Sequence, residues 1–134
     1  LHLAAPTQAY LDHVVADELT ELERRRIRYG AEHPPQAGSL ADATVIVTDD
    51  GVATGATVRA ALAAVRRAGP GKLVLAMPVA PDDAWLTLRE QADEAICLVT
   101  PSSDTFRAVG LYYGDFEQTE DAEVIALLAD RRTR

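Results

Sequence analysis

The chain has 134 residues, 48% of them hydrophobic, and carries 13 Lys and Arg against 21 Asp and Glu for a formal net charge of −8. That length suits one domain with a modest core. The acidic balance argues against nucleic acid or an anionic membrane as partner, so any phosphate must be held by local geometry.

The first predicted element is a helix over residues 7–29, with Leu11, Val14, Val15, Leu19 and Leu22 recurring at helical spacing. Asp12, Asp17 and Glu18 fall early and Arg24, Arg25, Arg26 and Arg28 fall late, an order that complements the helix dipole, and Glu21 can pair with Arg25 one turn on. The arginine run could serve as a pyrophosphate clamp, but a solvated helix end is the favoured reading. His33-Pro34-Pro35 ends the helix, and a loop through Gly38 follows.

Residues 44–58, Thr-Val-Ile-Val-Thr-Asp-Asp-Gly-Val-Ala-Thr-Gly-Ala-Thr-Val, run a β-branched strand into two carboxylates and then into a small, hydroxyl-rich turn that opens a helix near Thr57. An α/β sheet places its ligand crevice at the carboxyl end of such a strand. Gly51 and Gly55 permit a tight turn, while Thr54 and Thr57 offer hydroxyls beside free amides at the start of the helix. A phosphate would sit on that turn, and Asp49 and Asp50 would reach the hydroxyls of a ribose. Paired acids after an apolar strand also occur in receiver domains, but those lack a Thr-Gly-Ala-Thr turn after the acids. The Gly and Lys spacing of a Walker loop is absent.

Val-Thr-Asp-Asp-Gly-Val-Ala-Thr-Gly-Ala-Thr resembles the 5-phosphoribosyl-1-pyrophosphate (PRPP) motif of type I phosphoribosyltransferases at every position. The resemblance implies that Asp49 and Asp50 hydrogen-bond the 2′- and 3′-hydroxyls of the ribose, and that Ala53, Thr54, Gly55, Ala56 and Thr57 hold the 5′-phosphate. Family members acting on 6-oxopurines carry a third Asp where this chain has Ala53, so the turn looks more like those of adenine-type or competence-type relatives. The resemblance also implies Mg2+ as cofactor, bridging pyrophosphate and ribose hydroxyls with no direct protein ligand, and PRPP with a base or nucleotide as small-molecule partners.

After the motif, Val58, Ala61, Leu62 and Val65 mark an amphipathic helix that stops at Gly69-Pro70-Gly71. Residues 72–79 form a strand apolar on both faces, as expected where helices cover both sides. A helix opening at Pro81-Asp82-Asp83 carries Trp85, Leu86 and Leu88, and residues 95–99 form the third strand. Met77 and Trp85 read as packing residues. Cys97, the one cysteine, excludes an internal disulfide and reads as a buried strand residue, in keeping with a cytoplasmic protein. The β-α-β-α-β order over residues 44–99 implies parallel strands joined by right-handed crossovers.

Residues 106–116 gather most of the remaining aromatics. The phosphoribosyltransferase resemblance implies that Tyr112 or Tyr113 stacks on the base; the alternative is that these rings cover the open end of the core. Ala-Val-Gly-Leu-Tyr-Tyr-Gly-Asp-Phe-Glu-Gln also resembles the C-terminal signature of a poorly characterised bacterial phosphoribosyltransferase-like group. Thr119 then caps a last helix, extending to residue 130 and beyond, led by Glu120, Asp121 and Glu123, packed through Val124, Leu127 and Leu128, and closed by Arg131 and Arg132.

The expected architecture is therefore one α/β domain over residues 1–134, a three-layer, Rossmann-like parallel sheet of phosphoribosyltransferase type, incomplete in this chain. Only 43 residues precede Thr44 and they read as a helix and a loop, so the first strands and the pyrophosphate loop that the family implies are missing. The strand ending in the two acids would then present an open edge, to be covered by another copy in a homo-oligomer, by the N-terminal segment or by a separate fragment. No apolar run approaches the about 20 residues of a membrane span, and no signal peptide is expected. The start at Leu1 instead of Met points to a processed, truncated or unusually started product.

Overall fold

β-Branched and apolar runs separated by helical patterns set the element order. The computed structural model describes residues 6–30 and 38–131. They form α1 (Gln8–Arg28), β1 (Thr44–Thr48), α2 (Ala56–Arg67), β2 (Lys72–Val79), α3 (Asp82–Arg89), β3 (Glu94–Val99), a 3-10 turn (Val109–Tyr112) and α4 (Asp121–Arg131). The His33-Pro34-Pro35 stop and Arg132 lie outside the described residues. The chain divides into two compact units, one containing α1 and α4, the other running from β1 through the 3-10 turn.

In the second unit the three strands pair in parallel in the order β1-β2-β3. Val45 and Val47 stand beside Leu73 and Leu75, and Leu75 and Met77 beside Ala95 and Cys97. Strands alternate faces, so these residues share one face of the sheet. Against it pack Val58 and Leu62 of α2 and Leu88 of α3, which with Val52, Leu73, Leu75, Met77 and Ala80 form the core; Trp85 lies against this cluster. The carboxylate of Asp93 holds the start of β2, accepting from the Leu73 amide at 2.7 Å and from both terminal nitrogens of Arg66 at 3.0 and 3.1 Å. That guanidinium and the Leu73 amide keep the Asp93 carboxyl below the usual carboxylate range.

The opposite face departs from expectation. Helices were expected on both sides of β2, yet Ile46, Ile96 and Leu98 on that face are 61%, 56% and 77% exposed. With β1 to β3 progressing in one direction across the sheet, right-handed crossovers put α2 and α3 on the same side. The third layer is thus not supplied by α2 or α3. Cys97 is half-buried and not fully so, because β3 is an edge strand, and burial of the thiol still pushes its pKa up. β1 is the other edge, paired only with β2 among the described residues.

In the first unit Thr7 caps α1 by accepting from the Tyr10 amide. The apolar spacing of α1 is helical as expected, but Leu11, Val14, Val15, Leu19 and Leu22 are all exposed and α1 buries no residue, since two helices alone enclose no interior. The arginine run is occupied by acids. Glu21 lies 2.7 Å from the Nε atoms of both Arg24 and Arg25, Arg26 pairs with Glu23, and Arg28 reaches Asp121 of α4 at 2.8 Å. The Tyr29 hydroxyl also donates to Asp121, at 2.5 Å. Hydrogen bonds from Arg24 and then Arg25 lower the Glu21 carboxyl to about 2. No helix among the described residues is long and apolar enough to cross a membrane.

Candidate functional site

The chain leaves the C-terminal end of β1 at Thr48 and turns across the top of the sheet before α2 begins at Ala56. Asp49 accepts from the amide of Asp50 at 3.0 Å, and the Val52 amide donates to the Val79 carbonyl at the end of β2. Val52 is buried, so it pins the turn to the core between the acids and the threonines. Two glycines make this path possible. At Gly51 a Cβ would come within 2.7 Å of Val109 and 2.8 Å of Val79. Gly55, the residue before α2, has φ of 73°, the left-handed region that glycine enters without a steric penalty.

Together Asp49 and residues 51–58 line a cavity of about 210 Å³. A helix leaves its first amides without intrahelical acceptors. In α2 no side chain caps them. The amides of Ala56, Thr57 and Val58 therefore remain available for an anion, aided by the helix dipole. Thr54 and Thr57 are exposed beside them. The guanidinium of Arg59, one turn into α2, donates to the Thr54 carbonyl at 3.2 Å and brings positive charge to the turn. Sequence reasoning passed over Arg59; its position shortly after the Thr-Gly-Ala-Thr turn was the available signal.

Asp49 and the predicted phosphate-binding residues Ala53, Thr54, Gly55, Ala56 and Thr57 thus fall in one concavity, while Asp50 follows Asp49 on the same turn but does not line it. Desolvation, and then the neighbouring Asp49 charge, push the Asp50 carboxyl above its usual range. Tyr112 and Tyr113 do not line the cavity either. Tyr112 stacks on Phe106 with ring centroids 5.9 Å apart, and Tyr113 packs on Phe116 at 5.1 Å. The Tyr113 hydroxyl donates to the backbone carbonyl of Asp50. No group of three or more His, Cys, Asp or Glu that could hold a metal ion occurs among the described residues.

A parallel sheet with an acid pair and an uncapped glycine–threonine turn at a strand end defines a Rossmann-like fold of the phosphoribosyltransferase type. Comparison with known proteins supports that fold. It is 44% identical over 128 residues to two Mycobacterium tuberculosis proteins, from different strains, named "Putative phosphoribosyl transferase" MT0597 and Rv0571c. The crystal structure of TT1426 from Thermus thermophilus matches the fold with a TM-score of 0.72 at 36% identity. The chain is thus similar to these proteins along most of its own length. The alignment to the mycobacterial pair takes in 94% of this chain and 27% of theirs, and TT1426 covers 93% of this chain, which spans 58% of TT1426. The chain therefore spans about a quarter of the curated relatives' length. No protein-family model matches it.

Proposed function

We propose that the chain carries the sugar-phosphate half of a phosphoribosyltransferase site, binding PRPP or a nucleoside monophosphate and presenting C1 of the ribose for transfer to a base. The observation that carries this reading is the cavity lined by Asp49 and residues 51–58 over the uncapped start of α2. The amides of Ala56, Thr57 and Val58 and the hydroxyls of Thr54 and Thr57 hold the 5′-phosphate. Asp49 and Asp50 accept from the ribose hydroxyls. The chemistry is displacement of pyrophosphate from C1 by a ring nitrogen, and the turn contributes by fixing the orientation of the sugar. Two adjacent carboxylates are too few oxygens to enclose magnesium, so Asp49 and Asp50 would hold such an ion only through ligand hydroxyls and waters. When bound, that ion neutralises charge on the leaving pyrophosphate. In this reading the protein is cytoplasmic, and a second copy covers the open edge of β1.

A second reading is a module that binds the same ligands without transferring anything, or a portion of a longer enzyme. It draws on the three-stranded sheet with an open face and on the chain's spanning only 27% of its relatives. Calorimetric titration with PRPP and with a nucleoside monophosphate, with and without magnesium, followed by an assay of pyrophosphate release with a panel of bases, separates the two. Binding with turnover supports the transferase, binding without turnover supports the module or the portion of a longer enzyme, and failure to bind either PRPP or a nucleoside monophosphate refutes both.

A further inference from the structure

We infer that Tyr113 is a positioning residue of the sugar site, its hydroxyl fixing the acid turn through the Asp50 carbonyl. The inference rests on the reading of Asp49 and Asp50 as diol-binding groups. Its basis is a set of contacts joining the aromatic segment to the turn. The Tyr113 hydroxyl donates to the Asp50 backbone oxygen, and Val109, from the same segment, fills the space where a Cβ on Gly51 would lie. The segment is itself braced: Phe116 packs on the Tyr113 ring and also closes on Gly110, where a Cβ would meet the Phe116 ring at 2.9 Å. Desolvation, and then the charges of Asp50 and Asp49, raise the Tyr113 pKa, so the phenol keeps its proton and remains a donor.

This arrangement assigns Tyr113 a task other than stacking on a base. A carboxylate pair selects a cis-diol only if the turn that carries the two acids keeps one conformation. The carbonyl of Asp50 is part of the peptide that leads into Gly51, a residue whose lack of a side chain leaves that peptide little intrinsic restraint. An external donor supplies the restraint. Tyr112, stacked on Phe106, has no such contact with the acids.

The test uses Tyr113→Phe in the full 134-residue chain, which keeps the ring and removes the hydroxyl. Ribose 5-phosphate and 2-deoxyribose 5-phosphate are titrated by calorimetry into both proteins, and amide hydrogen exchange is followed at Gly51 and Val52. The wild type is expected to prefer ribose 5-phosphate. In the variant that preference shrinks about three- to tenfold, the span of one net hydrogen bond, while affinity for the deoxy sugar is unchanged and the Val52 amide exchanges faster. Equal weakening for both sugars, or an unchanged preference with unchanged exchange at Val52, overturns the positioning role. A wild type that binds both sugars equally removes the diol reading itself, and this inference with it.

Discussion

Replacing Gly55 by alanine probes the turn where fold and site share one residue. Gly55 holds φ of 73° immediately before α2. An alanine there costs about 1–2 kcal/mol for entering the left-handed region, against about 0.4–1 kcal/mol returned by a stiffer unfolded chain. The new methyl group would also stand 3.1 Å from Cδ1 of Leu88 and 3.3 Å from its Cδ2 and Cγ. Leu88 is fully buried, so it can yield only by disturbing its neighbours, and overpacking of this kind adds on the order of 1 kcal/mol. The expected net loss is about 1–3 kcal/mol. Trp85, the one tryptophan, packs against the same core, so its fluorescence during urea unfolding reports the unit that contains the turn. The midpoint should fall by roughly 1 M with an unchanged slope. In a Leu88→Ala background the crowding disappears and the substitution should cost about 1 kcal/mol less, a coupling readable from the double-mutant cycle. A cost below about 0.5 kcal/mol in the wild-type background, within the scatter of neutral surface changes, would refute the claim that the turn is seated on Leu88.

Asp50→Asn is expected to weaken ribose 5-phosphate binding by about tenfold or more, whereas Arg25→Ala, which removes only a partner of Glu21, should leave it unchanged; equal effects would overturn the choice of binding face. The same asparagine should stabilise the free protein near neutral pH. The folded state raises the Asp50 pKa from its ordinary 3.8, so the native protein holds that proton more tightly than the unfolded chain, and stability falls as pH rises from below 3.8 through the raised value. The advantage of the variant should therefore vanish in acid, which urea melts at several pH values can check. Arg59→Ala should reduce affinity for inorganic phosphate about three- to tenfold and flatten its dependence on salt; an unchanged phosphate affinity would mean that Arg59 serves only the Thr54 carbonyl.

Much of the architecture was legible because each signal was local. The β-branched run at residues 44–48 and the apolar run at residues 72–79 became β1 and β2, and small residues followed by a helical pattern announced the turn and α2. What escaped the sequence depended on distant partners. Hydropathy shows that Ile46, Ile96 and Leu98 would favour cover, but it does not say whether α2 and α3 pack on their side of the sheet, and both pack on the other. The Tyr113 hydroxyl meets a carbonyl 63 residues earlier in the chain, an interaction with no periodicity to reveal it. Glu21 as a partner of Arg25 was legible from the helical spacing, whereas Asp121, which engages Arg28 from α4, lies too far along the chain to be read that way.

The turn is held independently of the open face of the sheet. The turn is anchored by Val52 to the Val79 carbonyl, by Gly55 over Leu88 and by Gly51 against Val79 and Val109. Val79 shares the face of β2 that carries Leu73, Leu75 and Met77, the side on which α2 and α3 close the core. Ile46, Ile96 and Leu98 lie on the other side of the sheet. Whatever covers them adds apolar burial, at about 25 cal/mol per Å², without bearing on the groups that fix the turn. Pre-organisation of the phosphate and diol donors then belongs to the unit that holds β1, Val109 and Tyr113. A sugar phosphate should bind this chain with its site already formed, while displacement of pyrophosphate calls for donors that the turn does not contain.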